Sequence, residues 1–200
     1  MKKTMSYTPE AVRKRFLDKK SVPFFDKRYE LDEPEGGYNH EYDWHVIRKW
    51  TGATKPSEAI KFMLHALFVH ASRDDFVIDS NTFGRIGNRM CFGCMATCVL
   101  QEASGIKMVS EDRSILGFLR KVESQSSMSF RERQSIESFV DMIRSSVAEC
   151  MSGLDSIGVR DLTEDELKRF MSLPVMSSDK WKEQACLYAQ FADYLESQGV

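Results

Sequence analysis

The chain has 200 residues, with 28 Lys and Arg against 30 Asp and Glu, 42% hydrophobic and 29% charged residues, and a net charge of −2. This is the composition of an ordinary globular domain, long enough to bury roughly 70% of the surface its unfolded chain exposes. It excludes general disorder and a globally basic nucleic-acid binder.

No apolar run approaches the ~18 residues of a membrane span, so no membrane partner is expected. The opening MKKTMSYTPEAVRKRF lacks the apolar core of a secretory signal. The five cysteines, Cys91, Cys94, Cys98, Cys150 and Cys186, are odd in number, and three fall within eight residues. A secreted disulfide framework is more evenly stapled, so a reducing, cytoplasmic setting is expected.

The net charge conceals local patches. Residues 1–28 hold nine Lys and Arg against Glu10, Asp18 and Asp26. Residues 29–45 hold six acids and no Lys or Arg, and residues 161–200 hold eight acids against four bases. The basic stretch and the acidic residues adjoining it are expected to form a looser arm over 1–40, ahead of a helical domain over 41–200.

In chain order, the first predicted helix opens at Thr8 as N-cap with Pro9 at the first helical position, and aligns Val12 and Phe16. The second runs from about 41 to 51, with Trp44, Ile47 and Trp50 on one face and Gly52 as its stop. The third starts near Pro56 and ends near Ser72. Its centre, residues 62–69, is apolar nearly all round, which marks a buried helix. The three-residue run Phe76, Val77, Ile78 looks extended but is too short for a sheet of its own. A fourth helix is predicted over about 90–104, ending at Gly105, and a fifth over about 111–122.

The sixth opens with the capping-box pair Ser129 and Glu132, continues through Ile136, Phe139, Val140, Ile143 and Val147, and ends by Gly153. Thr163 and Glu166 open a seventh in the same way. The last covers about 178–197, with Trp181, Ala185, Tyr188, Ala192 and Leu195 on its buried stripe. The fold class is therefore all-α: a compact single-domain bundle of about seven to eight helices.

The most unusual segment surrounds the clustered cysteines. On a continuous helix Cys91, Cys94 and Cys98 fall within about 60° of one another, so their sulfurs share a face. Three chemistries compete there: a zinc or iron–sulfur site on those thiols, a thiol enzyme, or plain core packing, which is the preferred reading because Phe92, Met95, Ala96, Val99 and Leu100 surround them. For the enzyme, Cys91 or Cys94 is the nucleophile, His65 or His70 the base, and Asp74, Asp75 or Asp79 its orienter. Cys91, in or near a first helical turn beside Arg85 and Arg89, is expected to have a lowered pKa. Gly84 and Gly87 with those two arginines also form a weak candidate anion nest.

The histidines occur as His40 with His45 and His65 with His70, each pair five residues apart. On a helix that is about 140° around the axis, so neither pair shares a face as a zinc helix requires. His65 is expected to be a hydrogen-bonded core histidine. His70 lies near a helix C-terminus, where the dipole favours its charged form.

No family resemblance is long enough to import a function. The leading expectation is a non-enzymatic interaction or regulatory protein, an adaptor of the host cell or a phage-type inhibitor, which uses no cofactor and binds another protein. Its surface is an acidic–aromatic stretch: Tyr38, Tyr42, Trp44 and Trp50 as anchors, and Glu33, Glu35, Glu41 and Asp43 as steering charges. Nucleic acid enters only through the basic residues 1–28. The alternative is the cysteine-centred metalloprotein or thiol enzyme.

Overall fold

The computed structural model describes residues 5–25, 40–87, 89–144 and 162–200. Among them are eight α-helices: α1 (Pro9–Leu17), α2 (His40–Thr51), α3 (Pro56–Ala71), α4 (Met95–Ser104), α5 (Ile115–Ser126), α6 (Phe130–Arg144), α7 (Glu164–Met171) and α8 (Trp181–Gln198). The fold is a compact helical one, as the periodicity predicts.

The helix starts follow from local chemistry. The Thr8 hydroxyl accepts from the Ala11 amide with Pro9 behind it, and Ser114 accepts from Gly117. Ser129 and Glu132 exchange hydrogen bonds at 2.7 and 3.2 Å, and Thr163 with Glu166 does the same. Each such cap is worth about 1 kcal/mol, because it satisfies amides that have no partner within the helix. Gly52 and Gly105 stop α2 and α4 with φ of 73° and 72°, where a side chain would be strained.

Helix α3 is the axis of the fold. It packs on α8, α4, α1 and α2, and α4 in turn packs on α6. Phe62, Met63, Leu64, Leu67 and Phe68 are all buried, each contributing roughly 1.5–3 kcal/mol of apolar burial. Lys61, also buried, is tolerated because Glu196 meets its ammonium at 2.5 Å.

Several features depart from the sequence reading, and α5 begins at Ile115, about four residues later than predicted, after a 3-10 turn at Ser110–Asp112. Residues 76–78 do enter a sheet: β1 (Phe76–Ile78) pairs in parallel with β3 (Cys91–Gly93), and β2 (Gly84–Ile86) pairs antiparallel with β3 on its other side. The predicted fourth helix therefore starts five residues late. Cys91 is in a strand, Cys94 is the N-cap of α4 and Cys98 lies in its first turns, so the three cysteines do not share one helical face.

Gly93 lets a strand approach a helix closely. A Cβ there would lie 2.9 Å from the Phe76 ring and from Thr97 Cβ, so β3 can press on α4 only without a side chain at that position. The predicted continuation of α6 through Val147 to Gly153, and Cys150, lie outside the described residues.

Candidate functional site

Two polar rings sit on the buried helix α3. His65 and His70 are each 1% exposed, and the next helix in space, α4, places Glu102 against both. Glu102 Oε1 lies 3.6 Å from His65 Nε2, and its Oε2 lies 3.3 Å from His70 Nε2. Neither contact has hydrogen-bond geometry, and both Nε2 atoms are buried without another partner. The far side of each ring is engaged. His65 Nδ1 lies 2.6 Å from the carbonyl oxygen of Phe16, in the last turn of α1. That oxygen only accepts, so Nδ1 carries a proton.

His70 Nδ1 faces Nη1 of Arg73 at 3.4 Å. A guanidinium only donates, so this nitrogen is the bare one and Nε2–H points at Glu102. Burial lowers the His70 pKa, against the opposing pull of Glu102. This corrects the expected dipole effect: removing the ring from water outweighs the partial charge at the end of α3. Burial alone would raise Glu102, but the two imidazoles hold it well below the usual carboxylate range.

Arg73 extends the network. Its Nε and Nη2 grip Asp75 at 2.8 Å each. Nη1 donates to Gln101 Oε1 at 2.8 Å, and Nη2 to the Met108 carbonyl at 2.7 Å. Gln101 Oε1 also accepts the Met108 amide. One guanidinium thus ties the end of α3, the start of β1, α4 and the loop after α4.

The thiols stand apart from this cluster's hydrogen bonds. Cys91, Cys94, Cys98 and Cys186 are free and buried. Burial pushes the Cys91 thiol up in spite of Arg73, and pushes Cys98 well up. The lowered Cys91 pKa expected from sequence is corrected on that ground, since Cys91 is in a covered strand and not in an open helix turn. Arg85 lies over the Phe92 ring, 4.1 Å from its centroid.

Among the described residues, no group of three His, Cys, Asp or Glu side chains is disposed to hold a metal ion. Among the described residues, no hydrogen bond joins a cysteine to either imidazole. Both imidazoles face Glu102, Asp74 is exposed, Asp75 is held by Arg73, and Asp79 accepts from the Asn81 amide and Ser178. In the candidate nest around Gly84 and Gly87, the Gly87 amide is already used: it donates to the Met90 carbonyl at 2.8 Å. Arg89 is exposed beside it.

The acidic–aromatic surface is corrected at its anchors. Tyr42 and Trp50 are 3% and 7% exposed and belong to the core. Trp50 Nε1 donates to Glu132, and Trp44 packs partly buried against the core. Asp43 accepts from the Ser135 hydroxyl, at 2.5 Å. Glu33, Glu35 and Tyr38 lie outside the described residues, as does the side chain of Glu41.

The expected basic arm contains an anchored helix. Val12 and Phe16 of α1 are buried, Arg15 makes a two-pronged contact with Asp193 of α8 at 2.6 Å, and Tyr7 donates to the same carboxylate. Arg13, Lys14, Lys19 and Lys20 remain exposed around it.

No family model, curated relative or solved structure matches the chain.

Proposed function

We propose that this protein is a non-catalytic binding protein that engages an acidic protein partner through the cationic face of α1 and the 3-10 turn after it (Lys19–Ser21). One observation carries the reading. Arg13, Lys14, Lys19 and Lys20 are all exposed, on an element pinned to the core by Phe16 and by the Arg15–Asp193 pair. Their neighbours Arg15 and Lys61 are neutralised by Asp193 and Glu196, which leaves these four as the outward cations, with Glu10 and Asp18 exposed among them. An open groove of about 540 Å³ runs beside Lys14, Lys20 and Pro23, with Asp18 and Glu196 also on its wall. Cations fixed on a rigid helix steer and orient an oppositely charged surface at little entropic cost. Tyr42 and Trp50 have no part in this surface.

The test is charge reversal. Labelled poly-glutamate and labelled duplex DNA are titrated, each at low and high salt, with the wild type and with the R13E/K14E/K19E/K20E variant. The wild type is expected to bind poly-glutamate, to release it as salt rises, and to lose it in the variant while the helical circular dichroism stays the same. Retention by the variant, or no binding by the wild type, overturns the reading. Tighter binding to the duplex than to poly-glutamate replaces the acidic protein with nucleic acid.

A further inference from the structure

The ring nitrogens of His65 present an imbalance. Nδ1–H is committed to the Phe16 carbonyl at 2.6 Å. A neutral His65 would then aim the bare lone pair of Nε2 at a carboxylate oxygen 3.6 Å away, inside the core. Two acceptors facing each other in a medium of low dielectric is a costly arrangement. His70 cannot relieve it, because its single proton already points to the other oxygen of Glu102. The carboxylate itself is only 16% exposed, and Arg73 is taken up by Asp75, Gln101 and Met108.

We propose that His65, Glu102 and His70 form a buried proton-binding site, in which one proton held between His65 Nε2 and Glu102 fastens α1 to the core through the Phe16 carbonyl. With that proton present, His65 donates Nδ1–H to Phe16 on one side and turns a charged Nε2–H toward Glu102, an ion pair at 3.6 Å, on the other. Glu102 then has its counter-charge, and the cluster of imidazolium, carboxylate and neutral imidazole is neutral overall. When the proton leaves to solvent, His65 has one N–H for two acceptors. It must abandon the Phe16 oxygen or face Glu102 with a lone pair. Loss of the proton therefore loosens the last turn of α1, the element that carries Arg13 and Lys14.

The surrounding charges leave this role to the cluster. On α3, Lys61 is paired with Glu196 and Asp193 of α8. On α1, Arg15 is paired with Asp193. On α4, Cys98 is a buried thiol whose pKa burial raises, and on β3 the same holds for Cys91. From the connecting loops, Arg73 and Lys107 both disfavour charge on His70, which directs the proton to His65. On α6, Glu132 is held by Lys49, and Arg133 by Glu137 and Glu123.

The experiment is a histidine ring ¹⁵N correlation spectrum of the full chain, which distinguishes an imidazolium from either neutral tautomer. At pH 7 the expected result is His65 protonated on both nitrogens and His70 on Nε2 alone. Glu102→Gln supplies a neutral replacement of the same shape. Its amide N–H₂ donates to His65 Nε2 and its carbonyl accepts from His70, so the fold is kept while the extra proton is lost. His65 in E102Q is expected as the Nδ1–H tautomer. A wild-type His65 with a bare Nε2 at pH 7 overturns the proposal, and so does an E102Q spectrum identical to the wild type. If E102Q does not fold, the wild-type spectrum decides alone.

Discussion

The indole Nε1 of Trp50 donates to Glu132 Oε1 at 3.0 Å across the packed faces of α2 and α6. The same oxygen meets Lys49 Nζ at 2.7 Å, and the other carboxylate oxygen caps α6 through the Ser129 amide. Burial of Glu132 disfavours its charge, but Lys49, Ser129 and Trp50 together hold its pKa below the ordinary value. Glu132→Ala removes the cap and strands a buried indole N–H in one step. A loss of about 2–4 kcal/mol is expected, read as a lower urea midpoint. Glu132→Gln, which keeps the acceptor for Trp50, is expected to lose less. Equal losses in the two variants would show that the shared acceptor is unimportant.

Gly93 and Gly87 make a matched pair. Gly93→Ala places a Cβ 2.9 Å from the Phe76 ring and from Thr97 Cβ, so β3 must move away from α4. Overpacking of this kind costs typically 1–3 kcal/mol. Gly87→Ala meets only the Met90 carbonyl at 3.5 Å and a Phe92 ring carbon at 3.8 Å, and is expected to be nearly neutral. Thermal unfolding of both variants beside the wild type checks the contrast.

These features divide by whether their cause is local. Thr8, the Ser129–Glu132 and Thr163–Glu166 boxes, Gly52 and Gly105 are all legible in the sequence, because a cap involves residues within a turn of one another. The strand at Cys91–Gly93 is not, because its partners Phe76–Ile78 and Gly84–Ile86 are supplied by chain closure, and three residues carry no period. The α3–α4 cluster escapes sequence reasoning for a related cause. His65 and His70 do diverge by about 140° on their own helix, yet the two oxygens of one carboxylate on a neighbouring helix span that gap. Trp50 shares an apolar face with Ile47, and packing decides its role over the acids around it.

Burial of the thiols has a chemical consequence. Cys91 and Cys98 are both 0% exposed, with pKa values raised by burial, so thiolate and access are both scarce. At pH 7.5, iodoacetamide is expected to modify Cys91, Cys94, Cys98 and Cys186 at least 100-fold more slowly in the native protein than in urea, with mass mapping of each site. Fast native labelling of Cys91 or Cys94 would revive the thiol-enzyme alternative.

Acid is expected to destabilise the protein in two successive steps, and the sign comes from the α3–α4 cluster. The folded pKa of His70 lies below its ordinary value of 6.5, with burial as the main cause. The unfolded chain therefore binds more protons than the folded one once pH falls below about 6.5, and stability declines from there until the folded pKa is passed. Glu102 is held far below its ordinary 4.5 by the two imidazoles. Its contribution is present above about 4.5 and is lost as pH falls below that value. Urea midpoints measured from pH 8 to pH 3 should thus bend downward near 6.5 and again near 4.5. In His70→Gln the decline between pH 6.5 and 4.5 is expected to disappear while the lower step persists, since Glu102 keeps His65 as its partner. In Glu102→Gln the lower bend should weaken instead. A His70→Gln profile that still declines between pH 6.5 and 4.5 would assign that step to another group and remove His70 from the account.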